Sequence, residues 1–163
     1  MKKIYLAGGC FWGVQKFFDQ FNGITKTVVG YANGLSVNPT YEEVKSEKSG
    51  HSETVYIEYD ENVITLDKIL DYYYMVIDPT SINKQGEDQG ISYRTGIYYV
   101  DEEDLRVINK VTDKVREKYE KPLAVEILPL ENFYDAEEYH QKYLDKNPGG
   151  YCHIGGHFFN LEE

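Results

Sequence analysis

Short strand-like runs alternate with amphipathic helical stretches along the whole chain, and none of either kind is long. That alternation limits the fold more than any other feature. Residues 4–7 (Ile-Tyr-Leu-Ala) form a strand-like run that Gly8 and Gly9 end. From residue 10 to residue 21, Trp12, Val14, Phe17, Phe18 and Phe21 recur at near-helical spacing and predict an amphipathic helix. Asn22-Gly23 stops it, and residues 24–31 read as a strand. Thr40 caps a short helical piece running to residue 44. The same reasoning predicts strands over 55–59, 93–100 and 124–128, and helices over 67–76, 102–119 and 136–144. Residues 80–90 hold two glycines and no periodicity, and a loop of this kind inside a small domain is often functional. Strands and helices in comparable number, with short connections, predict an α+β sandwich. The strand order does not follow from the pattern.

Composition removes several classes of function. The 163 residues suit one domain, which buries roughly 70% of the surface its unfolded chain exposes. With 41% hydrophobic and 15% aromatic residues, the chain is neither disordered nor fibrous. A net charge of −11 opposes binding to nucleic acid, where Lys and Arg neutralise phosphates, and to anionic lipid surfaces. Two cysteines are too few for a disulfide-stapled secreted scaffold. Residues 1–10 imitate a lipoprotein leader, but their apolar stretch falls far short of the roughly 7–15 residues a leader needs. The expectation is a cytoplasmic protein.

Cys10 stands where the first strand ends and the first helix begins. Gly8 and Gly9 permit a tight turn and close approach to the backbone. Unpaired N–H groups at a helix N-terminus favour a thiolate by about 0.3–1 kcal/mol, up to about 2 when partly buried. That lowers a cysteine pKa from roughly 8.5 by about 0.2–1.5, a modest activation. A buried structural thiol is the competing reading of this stretch.

Four blocks carry a family resemblance. Gly9-Cys10-Phe11-Trp12-Gly13 resembles the signature of the peptide methionine sulfoxide reductase A family. Gly50-His51-Ser52-Glu53-Thr54-Val55 resembles its Gly-His-x-Glu segment. Asp78-Pro79-Thr80 through Asn83, Gln85 to Gly90, and Tyr93-Arg94 resemble its central loop. Lys146-Asn147-Pro148-Gly149-Gly150-Tyr151-Cys152 resembles its C-terminal recycling-cysteine segment. The blocks fall in order over nearly the whole chain. Ile77, Lys84 and Ser92 depart from residues common in the family, at positions without assigned chemistry.

The resemblance implies reduction of methionine S-sulfoxide, free or in proteins, by an enzyme of the kind that repairs this lesion. It implies Cys10 as the nucleophile for sulfur and Glu53 as the acid toward the sulfoxide oxygen. Aromatic neighbours would desolvate Glu53 and raise its pKa, and a nearby thiolate would couple to it. Phe11 and Trp12 offer an apolar wall for the S-methyl group, with aromatic–sulfur contacts worth about 0.3–1.5 kcal/mol. Tyr41, Asp88 and Tyr93 match positions that line the site. Cys152, the only other thiol, would resolve a Cys10 sulfenic acid into a disulfide that thioredoxin recycles. The fold expected is a single-domain two-layer sandwich around a mixed, ferredoxin-like central sheet. It spans residues 1–163, with 146–163 a flexible glycine-rich tail. No cofactor, no metal and a monomeric state are expected.

Two rivals stay in view. A thiol peroxidase would share the sulfenic step without needing Glu53 or the Phe11-Trp12 wall. A zinc site from Cys152, His153 and His157 with Cys10 or His140 is disfavoured, because no Cys-x₂₋₄-Cys pair exists and adjacent side chains seldom converge on one ion. The helix over 102–119 and the run Tyr72-Tyr73-Tyr74 read as ordinary helix faces.

Overall fold

A computed structural model of the chain describes residues 1–161. Its elements in chain order are β1 (Lys2–Gly8), α1 (Phe11–Asp19), β2 (Ile24–Ala32), α2 (Tyr41–Lys45), β3 (Ser52–Tyr59) and α3 (Leu66–Met75). They continue with β4 (Lys84–Gln85), β5 (Asp88–Gln89), β6 (Thr95–Tyr99), α4 (Asp104–Arg116), β7 (Glu126–Pro129), β8 (Phe133–Asp135) and α5 (Tyr143–Lys146). Six strands make one sheet in the order β7-β6-β1-β3-β2-β8, and β4-β5 is a separate tight hairpin. Only β6 and β7 run parallel; the other neighbours are antiparallel. The central order β6-β1-β3-β2, built by two β-α-β passages through α1 and α3, is the ferredoxin-like arrangement expected.

Strand alternation sorts the sheet into two faces. Ile4 and Leu6 of β1, Val29 and Tyr31 of β2, Val55, Ile57 and Tyr59 of β3, and Ile97 of β6 join one cluster. Against them pack Phe17 and Phe18 of α1, Ile69, Leu70 and Tyr73 of α3, and Ile108 and Val111 of α4. Each of these large side chains contributes about 1.5–3 kcal/mol by leaving water. The opposite face carries only a small patch around Ala7, Ala32 and Tyr98. The result is a two-layer sandwich. Glu53 stands two residues before Val55 and so faces the helix layer, 2% exposed.

Several expectations hold in detail. Thr40 closes a capping box with Glu43 at the start of α2. The first helix starts one residue after Cys10, as its N-cap position requires. Others are corrected. No single helix covers 136–144: a 3₁₀ turn at Glu138–His140 and the short α5 replace it. The Gln141 side chain pairs with the Val29 backbone, accepting from its N–H at 3.0 Å and donating to its carbonyl at 2.9 Å. Lys142 then adopts a left-handed φ of 56° while its N–H donates to Gln15 Oε1 at 2.8 Å. These tertiary bonds outcompete a helix whose propensity was only local. The three-residue β8 has no period to read, and the 80–90 stretch contains the β4-β5 hairpin turning at Gly86. The 102–119 helix occupies Asp104–Arg116 alone.

The end of β1, which delivers Cys10, is tied down by α3. The buried Tyr73 hydroxyl donates to the Ala7 carbonyl at 2.6 Å and accepts from the Gly96 N–H at 3.1 Å. Tyr73→Phe strands two buried backbone groups, so urea denaturation should show a loss of about 1–3 kcal/mol. An unchanged unfolding midpoint would show that the hydroxyl ties nothing.

Candidate active site

Gly9 turns at φ +87°, and a Cβ there would lie 2.7 Å from the Cβ of Gln85. Only glycine fits the turn that puts Cys10 at the N-cap of α1. A thiol makes a poor cap, and the Cys10 side chain caps nothing. Instead the Phe11 N–H donates to Glu53 Oε1 at 3.1 Å. The carboxyl thus caps the helix from across the core, and it brings acid and thiol into one buried space. Cys10 is 8% exposed.

The other candidates gather round this pair. Tyr41, first residue of α2, and Tyr93, last residue of the 3₁₀ turn Ile91–Tyr93, meet through their hydroxyls. Burial first, then the nearby Glu53 and Cys10, pushes the Tyr41 hydroxyl up to about 12. Tyr93 is pushed higher by burial and by Glu53, Tyr41, Asp88 and Cys10. Asp88 on β5 keeps Oδ2 buried without a partner among the described residues, and burial followed by Glu87 raises its carboxyl. Phe11 is buried against Tyr31 and His140. Trp12 is half-buried, stacked on Tyr143 at 3.7 Å between ring centroids, with its Nε1–H donating to His140 Nδ1 at 3.0 Å. Cys152 is half-buried over α1, its Sγ accepting from the Ile154 N–H at 3.3 Å. Both cysteines are free thiols.

Burial decides the ionisation of the pair. Desolvation, and then the Glu53 charge, push the Cys10 thiol well up, while the Trp12 N–H pulls the other way and loses. The expected lowering by the helix end is therefore corrected: a term of at most about 2 kcal/mol cannot offset near-complete burial. Glu53 is raised to about 8, chiefly by burial, against the stabilising Phe11 N–H. Both groups hold their protons at neutral pH.

Three supporting residues escaped the sequence reading. Glu137 accepts from the Tyr31 hydroxyl at 2.8 Å and the Tyr41 N–H at 2.9 Å, fixing the start of α2. His140, buried and with its pKa lowered by desolvation, stays neutral so that Nδ1 can accept from Trp12, and its ring packs on Tyr41 at 4.4 Å. Glu47 accepts from the Ser92 N–H at 2.9 Å and the Ser92 hydroxyl at 2.7 Å, clamping the turn that carries Tyr93. Glu137 and His140 lie in a stretch read as helix, where polar residues gave no sign of which face turns inward, and Glu47 lies beyond the helical piece read to residue 44. Among the described residues no group of three or more His, Cys, Asp or Glu is placed to hold a metal ion, and the His157 side chain lies outside them.

The family model for peptide methionine sulfoxide reductase matches residues 2–160. The chain belongs to that family. The peptide methionine sulfoxide reductase MsrA of Clostridium acetobutylicum is 62% identical over 154 residues, which cover 94% of this chain and 95% of the relative. The crystal structure of Mxr1 from Saccharomyces cerevisiae in reduced form superposes with a TM-score of 0.88 at 38% identity, over 93% of this chain and 88% of that one. Mxr1 in complex with Trx2 matches with a TM-score of 0.63 at 29% identity, over 87% and 84% of the two chains. Within this reductase family frame, the departures noted in the sequence have physical places. Ser92 is the partner of Glu47, and Ile77 is buried against Gly8.

The buried acid also sets a pH dependence of stability. Folded Glu53 keeps its proton to about pH 8, whereas an unfolded glutamate releases its own near about 4.3. Between those values the folded reductase binds the extra proton, so stability falls as pH rises across that window. Glu53→Gln keeps an acceptor for Phe11 without this cost. Its stability relative to wild type should therefore grow between pH 5 and pH 8, by at most about 1.4 kcal/mol per pH unit in urea titrations. Parallel pH profiles would show that Glu53 folds ionised.

Proposed function

We propose that this chain reduces methionine S-sulfoxide, free or in proteins, with Cys10 as nucleophile and Glu53 as proton donor. The observation that carries the reading is the buried acid at about pKa 8, tied by the Phe11 N–H to the helix end that bears the thiol. A sulfoxide oxygen is a weak leaving group until it is protonated, and a carboxyl that is neutral at pH 7 supplies that proton. Glu53 gives its proton to the sulfoxide oxygen and recovers one from the Cys10 thiol. The substrate's S–O bond breaks as a new S–O bond forms to the Cys10 sulfur, which takes up the protonated oxygen as Cys–SOH. The sulfoxide becomes the thioether, a two-electron exchange with no proton gained or lost overall. Trp12, stacked on Tyr143, and Phe11 beside it in sequence offer the methyl group an apolar wall. The Tyr41 and Tyr93 hydroxyls share the hydrogen bonding of the sulfoxide oxygen, and Asp88 accepts from a neighbouring hydroxyl or water.

Cys152 then condenses with Cys10–SOH, forming the disulfide and releasing water, and the dithiol of thioredoxin reduces the bridge by exchange. The yeast relative solved in complex with Trx2 supports that reductant. The reading places the chain in the cytoplasm as a monomer of one domain, with residues 146–163 as the glycine-rich segment that carries Cys152. No helix among the described residues is long and apolar enough to cross a membrane.

Cys10→Ser should abolish methionine formation from the sulfoxide, measured by chromatography; wild-type turnover in it would remove Cys10 as nucleophile. Cys152→Ser should still form about one equivalent of methionine per chain in a single turnover, then stall with thioredoxin. Normal thioredoxin-driven cycling in that variant would remove Cys152 from the reaction.

A further inference from the structure

Gly13 sits inside α1, buried, with no left-handed φ to excuse it. Glycine within a helix costs stability relative to alanine, so something other than the backbone retains it. An added Cβ would collide with one atom, the Sγ of Cys152, closer than real Cβ atoms approach anything. Its next neighbours, Ile154 Cδ1 at 3.4 Å and Cys152 Cβ at 3.7 Å, would be in ordinary contact. The missing methyl is therefore space for the sulfur alone. That sulfur is held in place by the Ile154 N–H at 3.3 Å. The segment around it is pinned on both sides. The Glu87 N–H donates to the Tyr151 hydroxyl at 3.1 Å, and the Gln20 amide donates to the Phe158 carbonyl at 2.5 Å and accepts from the Leu161 N–H at 2.7 Å.

We propose that Gly13 is the seat of the resolving sulfur, a positioning residue for disulfide closure; this rests on Cys152 being the resolving cysteine. Residues three apart on a helix have Cβ atoms about 5–6 Å from each other, and a disulfide needs Cβ atoms about 3.5–4.5 Å apart. A sulfur resting on position 13 is thus held within a short step of Cys10 at the N-cap. The step it serves is Cys10–S–OH + HS–Cys152 giving Cys10–S–S–Cys152 and water: the S–O bond breaks, the S–S bond forms, and the thiol proton leaves with the hydroxyl. Alanine at 13 lifts the sulfur off the helix without touching Cys10 or Glu53.

The test mixes excess methionine sulfoxide with the reduced full-length chain, without reductant, and follows methionine, the Cys10–Cys152 bridge by mass mapping, and sulfenic acid by dimedone capture. Gly13→Ala should form its first equivalent of methionine at the wild-type rate but close the bridge about 10- to 100-fold more slowly, with dimedone trapped on Cys10. Urea titration separates position from fold. Gly13→Ala should stabilise a Cys152→Ala background, where the sulfur is gone, and fail to stabilise wild type. Bridge closure at the wild-type rate in Gly13→Ala, or an equal slowing of methionine formation, overturns the seat. A wild-type chain that never forms the bridge overturns the reading of Cys152 itself, and the seat with it.

Discussion

The hydrogen bond from the Phe11 N–H to Glu53 is the tie on which the site depends. It joins the central strand β3 to the first turn of α1, and it answers two needs with one group. A helix beginning on a cysteine lacks an oxygen to cap its first amides, and a buried carboxyl lacks a partner. Each supplies what the other misses. The carboxyl is held within the space that the thiol occupies, and its environment is kept dry by Phe11, Tyr31 and the helix itself.

Dryness then sets the chemistry. The helix end favours a thiolate by at most about 2 kcal/mol, whereas near-complete burial disfavours a charge by up to about 3–5 pKa units, roughly 4–7 kcal/mol. The larger effect wins, and both Cys10 and Glu53 are neutral in the resting protein. A permanently ionised thiolate would be open to reaction with peroxide or alkylators. In the proposed reaction, a thiol that ionises only as its proton passes to a carboxyl already protonating an S–O bond reacts where such a bond is present. The arrangement accordingly favours a sulfoxide over a thiol-peroxidase substrate, which needs no such acid.

Much of this is legible in the sequence alone. The strand–glycine–cysteine–helix junction, the Thr40 cap and the helix over α1 follow from local patterns, because the forces that make them act within a few residues. The inward face of Glu53 was readable in principle from its alternation with Val55, Ile57 and Tyr59, although a lone glutamate in a strand is ordinarily solvent-facing. What stayed hidden depends on partners far away in sequence. Gln141 breaks a helix by bonding Val29, Glu137 fixes α2 through Tyr41, and His140 orients Trp12 across 128 residues. No local period encodes such pairings. The thiol's ionisation was misjudged for the same reason: the helix end is local and visible, while the desolvation comes from elements brought in by the fold.

The same division explains why the departure at Ser92 is coupled to Glu47. Glu47 adopts a left-handed φ of 71°, a conformation that costs a residue with a Cβ on the order of 1 kcal/mol. Two hydrogen bonds to Ser92, one of them to a backbone N–H, offset that cost, since charge-assisted bonds of this kind contribute about 1.5–3 kcal/mol each. The strained residue and the short hydroxyl side chain thus stand or fall together. Their shared effect is on Tyr93, one residue beyond Ser92, whose hydroxyl meets Tyr41 at the site. A pocket assembled from five elements acquires its rigidity from such clamps, each outside the pocket and each joining residues that no local pattern would pair.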